Sequence, residues 1–337
     1  MLLRTSLALV ASVSMIACGG GGHSTAPTPL PQPNPTPAPT ELWSISGRVT
    51  AYGANVGVSG AHVTADGTTP ADTDADGNYR LAYKLLPTTP DIKVTVAAND
   101  FMVREFYVRY RAGARSGLDA NLIRLTPPFS LEFYRQLVRG SYEFPGAPPE
   151  LVWRLTASPS IYVRTIDQNG RAIEPEVLTL VQSTLRRAVR DWSNGTLSVT
   201  TLETGTETRP RTDGWIVVNI THDYQSDFCG QAYIGYEDGE ITLVDDRCSC
   251  GSIKIPAAVV VHEVGHALGY FHVPDPKAVM YPTDSGSCAA GILSEQERYH
   301  AAVAYSRPRW NADPDSDDLA TEFARGGRRP PGILVRD

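Results

Sequence analysis

The chain has 337 residues, enough for two domains with cores of their own. With 42% hydrophobic and 20% charged residues, its composition is that of a folded chain rather than a disordered or fibrous one. A net charge of −7 gives no sign of a nucleic-acid or anionic-membrane partner, and the short run RGGRRP at 325–330 reads as a solvated tail.

Residues 1–18, MLLRTSLALVASVSMIAC, carry one early charge (Arg4), an apolar run and small residues before Cys18. That is a secretory signal, too short for a stable membrane span. Its ending resembles a bacterial lipoprotein signal, with Met15 where leucine is usual, and implies that Cys18 is lipidated and becomes the first mature residue. The expectation is an exported envelope lipoprotein at the outer membrane or cell surface, or otherwise a secreted protein. Of the five cysteines, Cys229, Cys248, Cys250 and Cys288 remain after Cys18, which suggests two disulfides with three connectivities open. The CSC spacing is too close for a zinc knuckle.

Residues 19–41 form a linker: four glycines, then APTPLPQPNPTPAPT with proline at every second position from 27 to 39. Extended at about 3.1 Å per residue, this stretch spans roughly 45 Å as a stalk. Residues 42–126 read as all-β, with the alternating runs SISGRVTA, AHVTA, NYRLAY, IKVTVAA and FYVRY between Gly, Asp, Asn and Pro. Through GRVT, GVSGAHVTA and TDADGNYRL they resemble the carboxypeptidase-regulatory-like family. The resemblance implies an immunoglobulin- or transthyretin-like β-sandwich of about seven strands with no chemistry of its own. DTDADG at 72–77 matches the start of a calcium loop, but the twelfth position is Tyr83 rather than glutamate, so a hairpin turn is expected. Calcium is tied to no particular residues.

Residues 127–150 connect, with a short helix around FSLEFYRQLVRG. Residues 151–306 then read as an α+β domain. LVWRLTASPSIYVRTI suggests a strand pair. EPEVLTLVQSTLRRAVRDW is an amphipathic helix with Val177, Leu180, Val181, Leu185, Ala188 and Trp192 on one face. The strands LSVTTLE, WIVVNI and EITLVDD follow, then a helix from near Pro256. A last helix starts at Ser294 with a capping box to Glu297. The polar composition of 307–337 predicts little order.

The stretch HEVGHALGYFH, 262–272, sets the chemistry. His262 and His266 are one helical turn apart on one face, a spacing that suits two neutral imidazoles on one Zn²⁺. Gly269 allows the helix to end in a left-handed turn that brings His272 to the same ion. Three protein ligands leave the fourth position for water, and Glu263 stands beside the first ligand as a general base.

H-E-x-x-H-x-x-G-x-x-H with a following methionine resembles the metzincin metalloproteases, and Met280 in AVMYP together with ILSEQERYHAAVAY resembles their matrixin branch. The likeness covers roughly residues 150–306. It implies a mixed twisted sheet with three main helices, one catalytic zinc on His262, His266 and His272, Glu263 as base, and Met280 as an apolar floor. It also implies a cleft whose edge strand pairs with an extended protein or peptide substrate. GQAYIG (with Gly230, Ala232 and Tyr233) and EITLVDD are the candidate edges, and Tyr281, Pro282 and Asp284 the candidate pocket residues. Asp284 stands where matrixins often place a tyrosine, and Tyr281 is assigned no catalytic role. No PRCGxPD switch is present, and His222 alone does not replace the family's structural-zinc cluster. A reading from another class is a catalytically silent protease fold acting as an adhesin or binding module; intact ligands and Glu263 speak against it. The serine of TDSGSC has no ordered partners.

Overall fold

The computed structural model describes residues 43–83, 91–109, 116–145, 154–222, 227–235, 237–245, 247–282, 288, 290–308, 311, 313–316 and 334–336. Cys18, the expected signal and the expected proline-rich stalk, Asp284 and RGGRRP lie outside the described residues. Residues 41–337 form one compact unit. Among the described residues no helix is long and apolar enough to cross a membrane.

The first part contains β1 (Trp43–Ala51), β2 (His62–Ala65), β3 (Ala71–Asp72), β4 (Asn78–Tyr83), β5 (Asp91–Ala97), β6 (Arg104–Arg109), β7 (Ser116–Gly117) and β8 (Ala120–Leu122). One sheet has the order β4-β1-β7, with β8 also on β1; the other runs β3-β2-β5-β6. The period-two alternation is clear in β4 and β5, where Tyr79, Leu81, Tyr83, Ile92, Val94 and Val96 turn inward. They share a core with Ile45, Val49 and Leu122. DTDADG is a tight turn, but not a hairpin: it carries the chain from β3 in one sheet to β4 in the other. The Asp74 carboxylate accepts from the Asp76 and Asn78 backbone amides at 2.9 and 2.8 Å, and these bonds hold the turn.

The second part contains α1 (Leu131–Arg139), β9 (Ser160–Arg164), α2 (Pro175–Trp192), β10 (Leu202–Gly205), β11 (Trp215–Thr221), β12 (Gly230–Tyr233), β13 (Glu240–Val244), α3 (Ala257–Leu268), α4 (Glu295–Tyr305) and β14 (Leu334–Arg336). Its mixed sheet has the order β10-β9-β11-β13-β12-β14. The first four are mutually parallel, and α2 supplies the long crossover from β9 to its neighbour β10. β12 turns antiparallel to β13 and β14 antiparallel to β12. The architecture fits an α+β domain.

Two expectations are corrected, and a third falls partly outside the described residues. Of the strand pair expected in 151–166, the described residues form β9, and residues 151–153 lie outside them; Leu155 gives its N–H to the Leu268 carbonyl at 3.4 Å. Neither candidate strand is a free edge: β13 (EITLVDD) lies between β11 and β12, and β12 (in GQAYIG) lies between β13 and β14. The connecting helix α1 is a fourth helix of the main core, with Phe133, Tyr134, Leu137 and Val138 buried there. Ser130 caps it, and buried His300 of α4 accepts the Ser130 N–H at 2.9 Å while its other ring nitrogen faces the Gln296 carbonyl.

The polar composition beyond 307 misleads over 311–316. Asp315 is fully buried and takes Arg307 at 2.8 Å, with Arg104 from β6 at 3.4 Å. Arg307 also donates to the Asn121 carbonyl on β8 at 3.1 Å, and Asp313 pairs with Arg135 and Arg139 of α1. A hydrophilic sequence can be buried when its charges pair with one another, and composition does not reveal such pairing.

Candidate metal centre

Helix α3 is apolar almost all round, and residues 259–268 are all buried between α2 and the sheet. Trp192, the last residue of α2, fixes it by donating from Nε1 to the Val261 carbonyl at 2.8 Å. Gly265 permits close approach of both Trp192 and Met280: a Cβ there would sit 2.6 Å from Met280 Sδ and 3.1 Å from the Trp192 ring. Met280 is fully buried.

Gly269 ends α3 at φ 109°, a conformation that side chains with a Cβ rarely adopt. The chain then turns back, with Tyr270 stacked on Trp192 at 4.7 Å and its hydroxyl donating to the Trp192 carbonyl at 2.9 Å. Burial raises this phenol well above its ordinary pKa, so it stays a donor. The turn returns His272 to the face that carries His262 and His266.

The three Nε2 atoms form a nearly equilateral triangle, 3.0, 3.1 and 3.2 Å on a side. Each Nδ1 is engaged elsewhere. His262 Nδ1 donates to the Val279 carbonyl at 2.5 Å, His266 Nδ1 to the Tyr270 carbonyl at 2.7 Å, and His272 Nδ1 to the Glu143 carboxylate. These bonds place the protons on Nδ1 and leave three Nε2 lone pairs converging on one point. Lone pairs so close repel one another unless a cation lies among them. Tetrahedral zinc with bonds of about 2.0–2.1 Å sets its nitrogens roughly 3.3–3.4 Å apart, close to this triangle. The residues therefore fit the ion, and among the described residues this is the one His, Cys, Asp or Glu cluster of metal-ligating geometry.

Glu263, next to His262 in the chain, is fully buried, and Gly230 at the start of β12 closes against it. A Cβ at position 230 would lie 2.6 Å from Glu263 Cδ, so this close approach requires glycine. Ala232 is buried in the main core, and its side chain does not line a cleft. Tyr233 is half-buried with Arg211 over its ring at 4.1 Å. Tyr281 and Pro282 are half-buried just after Met280.

Glu143 and Glu297 are the contributions that the motif does not announce. Glu143 follows α1, and its neighbour Phe144 meets Phe271 edge-on at 6.4 Å, while Phe271 donates its N–H to the Leu137 carbonyl in the last turn of α1. Glu297 reaches beyond its expected capping box: one oxygen accepts from Ser294 N at 2.7 Å, the other from Met280 N at 2.9 Å. A single carboxylate thus fixes both the start of α4 and the methionine turn.

Both expected disulfides are present, Cys229–Cys248 and Cys250–Cys288, with Cα separations of 5.5 and 5.4 Å. They meet at the CSC junction, bracing the entry to β12 and the stretch after the methionine turn. Disulfides of this kind suit an exported chain.

The family model described as Matrixin matches residues 218–296. No curated protein matches the chain. Among solved structures, a type II cohesin–X-dockerin complex from Acetivibrio cellulolyticus aligns at 18% identity over 24% of this chain, with a TM-score of 0.19. The chain spans about half, 55%, of the length of that structure's chain, and so distant a likeness carries no argument. The match over residues 218–296 and a histidine triad positioned to bind a metal ion support a matrixin-like domain, and together suggest a zinc metalloprotease.

Proposed function

We propose that the chain is a zinc-dependent endopeptidase of the cell envelope, with His262, His266 and His272 as ligands and Glu263 as general base. The observation that carries this reading is the triangle of Nε2 atoms, with every Nδ1 held by an oxygen, beside a buried carboxylate. A zinc ion held there supplies Lewis acidity, which acidifies water and polarises a peptide carbonyl. Glu263 takes the proton of the attacking water and returns it to the departing amine nitrogen. Gly230 leaves the room that this carboxylate occupies. Met280 and Trp192 exclude water from below.

The extended substrate adds to the outer edge of β12, where backbone pairing accepts any sequence and pockets set the preference. Tyr281 and Pro282 are the described residues best placed by sequence to shape such a pocket. In this reading a lipid on Cys18 and the proline stalk hold the protein at the membrane. The two sheets of residues 43–122 are a carboxypeptidase-regulatory-like module, supported by their separate core.

The test is hydrolysis of an unstructured protein and a mixed peptide library by the mature chain, with chelator, with zinc restored, and as Glu263→Ala. Chelator-sensitive cleavage that the variant lacks supports the reading. A protein that binds one zinc yet is as inert as its variant would instead be a binding module with a protease fold.

A further inference from the structure

The outer edge of β12 carries an occupant from the same chain. Residues 334–336 pair with it antiparallel, Leu334 opposite Tyr233, Val335 opposite Ala232 and Arg336 opposite Gln231. On its other side β12 is bonded to β13 through Gly230, Gln231 and Ala232. A strand has two edges, and a second extended peptide cannot share one already paired.

The register also gives a direction. Gly230 is the β12 residue that presses on Glu263. Along β14 the chain runs from the Tyr233 end toward the Gly230 end. A peptide in this register reaches Glu263 with residues following those opposite β12. Residues 334–336 thus have the polarity and place of the half of a substrate that precedes the bond under attack.

We propose that β14 is a tethered substrate mimic, which occupies the peptide-binding edge of β12 and competes with substrate for it. The proposal deepens the endopeptidase reading and rests on it for the identity of the competing ligand. Tethering keeps the occupant at a millimolar-order effective concentration, so even three paired residues compete with dilute substrate.

The test compares the full mature chain with two variants, one lacking residues 334–337 and one carrying Val335→Pro, which removes a backbone donor within the pairing. Each is also made with Glu263→Ala, so that a labelled GILVRD peptide can be followed by fluorescence anisotropy without being cut. Melting curves confirm that each variant is folded. The expected result is peptide binding about tenfold tighter to both variants than to the full chain, and kcat/KM for a peptide substrate about three- to tenfold higher through a lower KM. Added GILVRD then inhibits the variants competitively. Equal anisotropy and equal kcat/KM across all forms would overturn the proposal while leaving the endopeptidase reading intact. Tighter peptide binding without hydrolysis by any zinc-loaded form would uphold the occupant and sink the endopeptidase reading.

Discussion

Each histidine of the triad is held by an oxygen from a different stretch of chain: Val279 after the third ligand, Tyr270 within the turn, and Glu143 far upstream. Backbone carbonyls accept whatever the side chain, so only the third support is open to substitution. Glu143→Ala is expected to weaken zinc binding by about 10- to 100-fold, with Glu143→Gln recovering part of it, read by competition against a chromophoric chelator. Gly230→Ala is expected to separate two functions that zinc loss would remove together. Its methyl group displaces the Glu263 carboxylate, so kcat falls by at least about tenfold while one zinc remains bound in elemental analysis. The clustering of His262, His266 and His272 could be read from the sequence because eleven consecutive residues contain them, and helix geometry alone puts two of them together. Glu143 left no such trace: it reaches His272 through the docking of α1 and Phe144 on Phe271, a tertiary event with no periodicity.

The seam between α1 and α4 is an element-scale feature with a pH signature. His300 is fully buried between Phe129 and Phe133, with ring centroids 5.5 and 5.0 Å away. Burial, the largest effect, lowers its pKa below the usual 6.5, against the opposing pull of the Gln296 and Ser130 backbone groups. Below pH 6.5 the unfolded chain therefore takes up a proton that the folded chain resists. The stability of this seam is complete above that pH and is lost as pH falls toward the lowered value. The melting temperature of the native chain is accordingly expected to drop between pH 7 and 5.5 by more than that of His300→Gln; parallel curves would show that the seam does not carry the effect. The capping box at Ser294 and the apolar face of α2 were legible because they are local patterns. The membership of α1 in the main core was not, because nine residues after a proline pair look the same whether they link or pack. β13 likewise has the composition of an edge or an interior strand, and only the antiparallel return of β12 decides between them.

At the scale of the whole molecule, two cores stand within one compact unit, and a buried ionic cluster ties them. Arg104 and Asn121 come from the first, Arg307 from the end of α4, and Asp315 neutralises both arginines. Removing that carboxylate strands two buried guanidinium groups. Asp315→Ala is expected to cost about 3–5 kcal/mol in urea denaturation, and the native chain to unfold in one transition by both near-UV and far-UV signals. Composition placed a domain boundary and a loose tail here, because hydrophilic residues ordinarily mark both. The clamp ends at Ser316 and the strand against β12 begins at Leu334, so the two features are separated along the chain. A single backbone cut between Ser316 and Leu334 would separate the strand from the clamp along the chain. If β14 is the proposed mimic, occupancy of the cleft and survival of the fold thus rest on different stretches of the chain.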